Sequence, residues 1–259
     1  MLRGIYTAAS GMGVLQTRMD VTSNNLANVS TTGFKQVRVQ QAAFPDLMLQ
    51  EKVQVKLAGR HLGNWSPVGV TNQGIAVSGM VTDYGVGLLY ETGKETDLAL
   101  SGDGFFAFEA GEEGETRVLY SRDGDLHRDS EGYLVNSRGH RIMGENGPVK
   151  VGSGSFKVEP DGLVRTADDE EIRITIVDFP DKSKLVKEGN NYISAPAGEG
   201  VASANPGVSQ GFLEKSNVDV SNEVVNMIEI IRAYEASQKL IQAQDDLLES
   251  AINRVGTVK

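Results

Sequence analysis

The chain contains no cysteine. That absence removes disulfide bridges, thiolate metal sites, iron–sulfur clusters and a cysteine nucleophile together. Histidine is nearly as scarce: His61, His127 and His140 stand in separate segments, at no spacing that suits a metal. Positive charge is in deficit, with 25 Lys and Arg against 35 Asp and Glu and a net charge of −10. A duplex-binding protein carries a basic face, so this balance argues against nucleic acid as a partner. No run approaches ~20 apolar residues, so no membrane-spanning helix is expected. The first seven residues hold one basic residue and no apolar stretch long enough for the core of a secretory signal. Any passage out of the cytoplasm is therefore expected to use a route that does not cleave an N-terminal signal.

What remains is ordinary for a globular chain: 259 residues, 39% hydrophobic and 23% charged, enough for one or two domains with a buried core. Glycine and proline divide it. From Asn217 to Val255 there is neither, although the chain holds 30 Gly and 7 Pro. Within that run Val224, Met227, Ile231, Tyr234, Gln238, Ile241, Asp245, Leu248, Ile252 and Val255 keep an alternating 3-4 spacing. This predicts a helix with a coiled-coil-like stripe, interrupted at two polar positions. Val225, Ile228, Leu247 and Ala251 add a second apolar flank, as expected of a helix with two sets of neighbours. The N-terminus repeats the spacing more weakly through Leu2, Ile5, Ala9, Met12, Leu15, Met19, Thr22 and Leu26. Gly11 and Gly13 lower its helicity by about 1 kcal/mol each, so this helix is expected to order only against a partner. Residues 1–40 carry a net +3 and residues 211–259 a net −3, which favours pairing of the two ends.

Between the ends the pattern becomes β. Phe105–Phe108, Arg117–Tyr120, Tyr133–Val135 and Arg173–Val177 are short β-rich runs, separated by turn signals such as Asp103-Gly104, Asp123-Gly124, Glu131-Gly132 and Asp161-Gly162. The expected organisation is therefore α+β. An N-terminal helix and turn (1–35) and a C-terminal helix (217–259) pair as a coiled-coil-like inner domain. An all-β domain spans 76–216. Residues 36–75, with Gly59, Gly63, Pro67 and Gly69, fit neither class and read as an extended arm or loop that links the two.

Motifs for chemistry match in letters and fail in context. Gly207-Val208-Ser209-Gln210-Gly211 spells a nucleophile elbow, but Pro206 precedes it and no histidine follows His140. Gly102-Asp103-Gly104-Phe105-Phe106-Ala107 resembles a dinucleotide loop, yet a Phe-rich strand pattern follows where a helix is needed. Asp123, Asp125 and Asp129 have partial calcium-loop spacing, with Arg128 in place of the glycine and Leu134 in place of the final glutamate. No catalytic residue, cofactor site or metal site is expected.

The ends carry a resemblance. Ser23-Asn24-Asn25-Leu26-Ala27-Asn28-Val29-Ser30-Thr31-Thr32-Gly33-Phe34-Lys35 is similar to the N-terminal signature of the bacterial flagellar basal-body rod and hook family. Ser216-Asn217-Val218-Asp219, Glu223, Met227-Ile228, Arg232-Ala233-Tyr234-Glu235 and Lys239 resemble its C-terminal signature. Asp97 through Phe106 and Tyr120-Ser121-Arg122-Asp123-Gly124 resemble the opening of its β domain, with Leu126 where the family often has Phe. The resemblance implies an axial structural subunit that polymerises helically into a hollow, torque-transmitting shaft for motility. In this family terminal helices build an inner tube and the β domain an outer layer. It implies further copies of the chain and other rod or hook proteins as partners, export through the flagellar type III apparatus, and a place in the basal body across the envelope. The chain's length suits a rod subunit; a hook or junction subunit, and a secreted β-rich cell-wall hydrolase, are the alternatives.

On this reading the assembly interface is drawn from both ends. Leu2, Ile5, Met12, Met19 and Leu26 supply the N-terminal stripe, and Val224, Met227, Ile231, Tyr234, Ile241, Leu248 and Ile252 the C-terminal one. For Asn24 and Asn25, amide bonds across helices and helix-end capping both stand; Asn28 reads as a cap. Gly33 is expected to supply a turn that a side chain would strain, with Phe34 following it. Arg232 and Glu235 are expected either to pair, on one helix or between subunits, or to stand solvated.

Overall fold

In the computed structural model the backbone is described for residues 2–57, 60–110, 117–167, 169–189, 191–196, 198–203 and 206–255, and side chains for these except 2, 52–65, 254 and 255. The side chains of Leu2 and Val255 thus lie outside the described residues. The architecture is α+β, a helix near each end and a β-rich middle. Two compact units divide the chain: Met1–Asn24, Val37–Val81 and Ser221–Lys259 form the first, and Asn25–Gln36 with Thr82–Val220 the second.

The first unit holds most of helix α1 (Leu2–Ala27), strands β1 (Val37–Ala43), β2 (Leu47–Leu57), β3 (Arg60–Thr71) and β4 (Ile75–Thr82), and nearly all of α2 (Val220–Val255). The unbroken run without Gly or Pro lets α2 extend for 36 residues, and Glu223 in its first turn complements the helix dipole. β1 pairs with β4, and β2 with β3 as a long antiparallel hairpin. Residues 36–75, read as an extended arm, therefore carry three of these strands. The ladder shifts register between Leu49 and Gln50, where Gln50 faces Pro67, a residue with no N–H to give. Among the described residues no helix is long and apolar enough to cross a membrane.

The second unit is built from short strands: β5 (Leu89–Glu91), β6 (Leu98–Leu100), β7 (Phe105–Ala110), β8 (Arg117–Ser121), β9 (Leu126–Arg128), β10 (Leu134–Asn136), β11 (Arg141–Gly144), β12 (Gly147–Pro148), β13 (Phe156–Val158), β14 (Leu163–Thr166), β15 (Glu171–Arg173), β16 (Ile176–Asp178), β17 (Val186–Gly189), β18 (Tyr192–Ser194), β19 (Val201–Ala202), β20 (Val208–Gln210) and β21 (Phe212–Glu214). The largest sheet runs β17-β18-β8-β7-β11-β10-β9, with β16 also on β7. Two strands downstream return to upstream ones, β20 to β6 and β21 to β5, so the approach to α2 is tied back to residues 89–100. The expected run 173–177 is split between β15 and β16, because Ile174 bridges Gly144 and the Thr175 N–H bonds the Met143 carbonyl.

Phe106, Phe108, Leu98, Leu126, Leu134, Ile142, Val149 and Val164 are fully buried and form the centre of one core. Gly124 matters there by closeness: a Cβ would stand 1.6 Å from the Leu98 carbonyl oxygen, and the Leu98 N–H donates to the Gly124 carbonyl at 3.0 Å. Replacing Phe106 by Ala should destabilise the second unit by ~3–5 kcal/mol, read as a lower urea midpoint of the full chain.

Candidate functional site

Helix α1 ends in a polar turn. The Thr31 N–H bonds the Asn28 carbonyl and the Thr31 hydroxyl bonds Asn28 Oδ1 at 3.2 Å, so Asn28 organises the helix exit. Asn25 is 2% exposed and Asn24 is exposed, and none of the three residues is without a partner. Gly33 follows with φ +63°, and its N–H donates to the Glu214 carbonyl at 2.8 Å. A Cβ at Gly33 would stand 2.5 Å from the carbonyl carbon and oxygen of Arg122. Both the dihedral and the space require glycine. Phe34 is buried beneath the Lys187 ammonium, 4.9 Å from the ring centroid.

Lys35 then enters a buried charged hub. Its Nζ donates to Glu214 Oε1 at 2.5 Å and to the Gly85 carbonyl at 2.7 Å. The same carboxylate oxygen accepts the Gly87 N–H at 2.7 Å, while Oε2 accepts Arg122 Nη1 at 3.2 Å. Arg122 also donates to the Gly102 carbonyl at 2.8 Å and lies over the Phe105 ring. Lys35, Arg122 and Glu214 are each no more than 3% exposed. Burial pulls the Lys35 ammonium below its ordinary range; the Glu214 charge opposes that and the Arg122 charge adds to it. Such a triad is held by geometry: removing one member leaves the others desolvated and unpaired.

Further bonds close the same junction. Thr32 donates to Asp123, whose carboxyl burial pushes its pKa up while the Thr32 hydroxyl and the Asp125 N–H pull it down. Asn191 Nδ2 donates to the Thr32 carbonyl at 2.8 Å. Lys187 Nζ donates to the Lys35 carbonyl at 2.9 Å, and burial lowers its pKa to about 8. The Gln36 N–H donates to Asn217 Oδ1, and Asn217 Nδ2 to the Asp83 carbonyl. Residues 32–36, which leave α1, and residues 214–217, which approach α2, are thereby fastened to each other and to β-rich segments of the same unit.

The helices present mixed faces. On α1, Ile5, Met12, Met19 and Leu26 are half-buried, while Val14 and Thr22 are buried. On α2 the covered face follows Glu223, Met227, Ile230, Tyr234, Ser237, Ile241, Gln244, Leu248 and Ala251. Met227, Tyr234, Ile241 and Leu248 thus lie where the sequence stripe put them. The alternate positions fall one residue earlier than that stripe, so Val224, Ile231 and Ile252 are exposed. Arg232 and Glu235 are exposed, and no ion pair joins them among the described residues. Sequence reasoning missed Glu214 and Arg122 as junction residues. The signal available was a glutamate inside the β-like run Phe212–Lys215, next to the Ser216-Asn217-Val218-Asp219 motif.

Glu214→Ala should cost ~3–5 kcal/mol by urea unfolding, and removing all three charges with Lys35→Met, Arg122→Met and Glu214→Leu should recover most of that loss. Lys187 gives a pH test. Its folded pKa of about 8 lies below the ordinary 10.5, so the unfolded chain binds more protons across that interval. Stability should therefore gain a contribution as pH rises from 8 toward 10.5, and Lys187→Met should remove that part of the slope.

Three family descriptions match this chain. Residues 5–35 match "Flagella basal body rod protein", residues 99–166 the "Flagellar hook protein FlgE/F/G D1 domain", and residues 209–254 "Flagellar basal body rod FlgEFG protein C-terminal". The first and third contain Gly33, Lys35 and Glu214, and the second contains Arg122. The flagellar basal-body rod protein FlgG of Bacillus subtilis (strain 168) is 33% identical over 271 residues, covering 98% of this chain and 99% of its own. FlgG of Borreliella burgdorferi is 34% identical over 272 residues, with 98% of each chain covered. The flagellar basal-body rod protein FlgF of Caulobacter vibrioides is 32% identical over 264 residues and covers 100% of both. With likeness at this level from end to end, the chain belongs to the family of flagellar basal-body rod proteins.

Proposed function

We propose that this chain polymerises head to tail, with itself and with neighbouring rod and hook proteins, into the hollow shaft that transmits motor torque. As a rod-family member it is a structural subunit of the flagellar basal body and not an enzyme. Export through the flagellar type III apparatus is part of the same proposal. The observation that carries the reading is the apolar surface left on α2. Val225, Ile228, Leu240, Leu247 and Ile252 are 46–70% exposed, outside the covered face of the same helix. Exposed apolar side chains in such number mark an interaction surface.

On this proposal α1 and α2 form an antiparallel, coiled-coil-like pair, and the residues expected at the interface act in two ways. Ile5, Met12, Met19, Leu26, Met227, Tyr234, Ile241 and Leu248 hold the pair together. A methyl on Gly4 would stand 2.5 Å from Gln244 Nε2, a close approach that supports such pairing. Val224, Ile231, Ile252, Arg232 and Glu235 face outward and meet other subunits. A head-to-tail contact between unlike faces that does not close on itself generates a helical tube.

The purified chain should sediment as filaments resolved by electron microscopy, with more far-ultraviolet helix signal in the polymer than in the monomer. Gly33→Val should abolish filaments and lower the urea midpoint of the second unit, because its side chain would meet the Arg122 backbone. A mutant that polymerises normally, or a chain that stays monomeric under all conditions, contradicts the reading.

A further inference from the structure

We propose that a groove on the first turns of α1 receives the Asp246–Leu247 turn of α2 from a second copy of the chain, as a lateral contact; this rests on the assembly reading above. The groove, about 320 Å3, is lined by Arg3, Tyr6 and Thr7 of α1 and by Asn72 and Gln73 between β3 and β4. Its walls are fixed within the first unit. The Ile75 N–H reaches Ser10 Oγ at 3.4 Å, and the Phe44 N–H bonds the Gly74 carbonyl at 3.0 Å. Asn72 Nδ2 is engaged by the Phe44 carbonyl and by Asp46, its Oδ1 by the Gly74 N–H. The Thr7 hydroxyl is engaged by the Arg3 carbonyl.

The groups left to bind something include the Arg3 guanidinium and the Tyr6 ring, with the Gln73 amide beside them. Tyr6 is 71% exposed, and among the described residues no carboxylate lies within ion-pair distance of Arg3. Arginine beside tyrosine at a concave site is the composition of an interface hot spot. The guanidinium takes a carboxylate, and the ring takes an apolar side chain next to it.

That combination is present on α2. Leu247 is 61% exposed, Asp246 beside it is exposed, and no ion pair holds Asp246 among the described residues. The net +3 of residues 1–40 against the net −3 of residues 211–259 favours the match. The carboxylate is not the chain's own Asp246. Gln244 is the residue that meets Gly4, and Asp246, two positions on, projects about 200° around the helix from it. A second copy supplies the turn instead.

The cysteine-free chain allows a clean test. Full-length Thr7→Cys and Leu247→Cys chains are mixed, assembled and oxidised. A disulfide-linked dimer is expected in the mixture, at least tenfold above either variant alone. Arg3→Glu should lower filament yield at least tenfold, and adding Asp246→Arg should restore it, which separates contact from misfolding. Polymers that form normally yet give no mixed dimer overturn the contact. Dimers from the Thr7→Cys chain alone, which would mean that another occupant fills the groove, overturn it as well. Wild-type chain that never polymerises overturns the assembly reading and this contact with it.

Discussion

A single carboxylate gathers the chain. Glu214 binds Lys35, Arg122 and the Gly87 N–H through its side chain, and the Gly33 N–H through its carbonyl. Lys35 and Glu214, 179 positions apart, thus meet at one buried group. Removing these charges from water is costly, so the arrangement persists only if every partner is correctly placed. The hub functions as a register mark: a displaced residue 33–35 leaves ions buried without compensation, and no intermediate placement is comfortable.

The glycine beside the hub sharpens that selection. Gly33 has the backbone twist that turns the chain out of α1, and it leaves no gap against the Arg122 carbonyl. Charge and shape therefore restrict the same few residues from different directions. A junction with two independent restraints resists slippage better than greasy contact alone.

The parts of the molecule that could be read from the sequence are those governed by local periodicity. The two helices follow from spacing, and β7, β8 and β10 from short β-rich runs between turn signals. The phase of α2 was only half legible. Met227, Tyr234, Ile241 and Leu248 belong to both the apolar stripe and the covered face, but the remaining covered positions include Glu223, Ser237 and Gln244. Polar residues in a seam cannot be distinguished from solvent-facing ones by letter, and the neighbouring Val224, Ile231 and Ile252 drew the stripe toward themselves. Glu214 was illegible for a different reason: its meaning comes from partners far along the chain, and no spacing rule connects position 35, 122 and 214. The strands within 36–75 were hidden by Gly63, Pro67 and Gly69, which weaken a β pattern even where a bulge accommodates them.

That bulge has a bearing on solubility. Among the described residues β2 and β3 pair only with each other, so neither outer edge of the ribbon carries a further strand. Open strand edges are templates for fibril growth between molecules. The missing donor at Pro67 and the unpaired Val68 beside it interrupt the row of hydrogen-bonding groups. A ribbon interrupted in that way is a poorer template for generic strand-on-strand stacking between molecules.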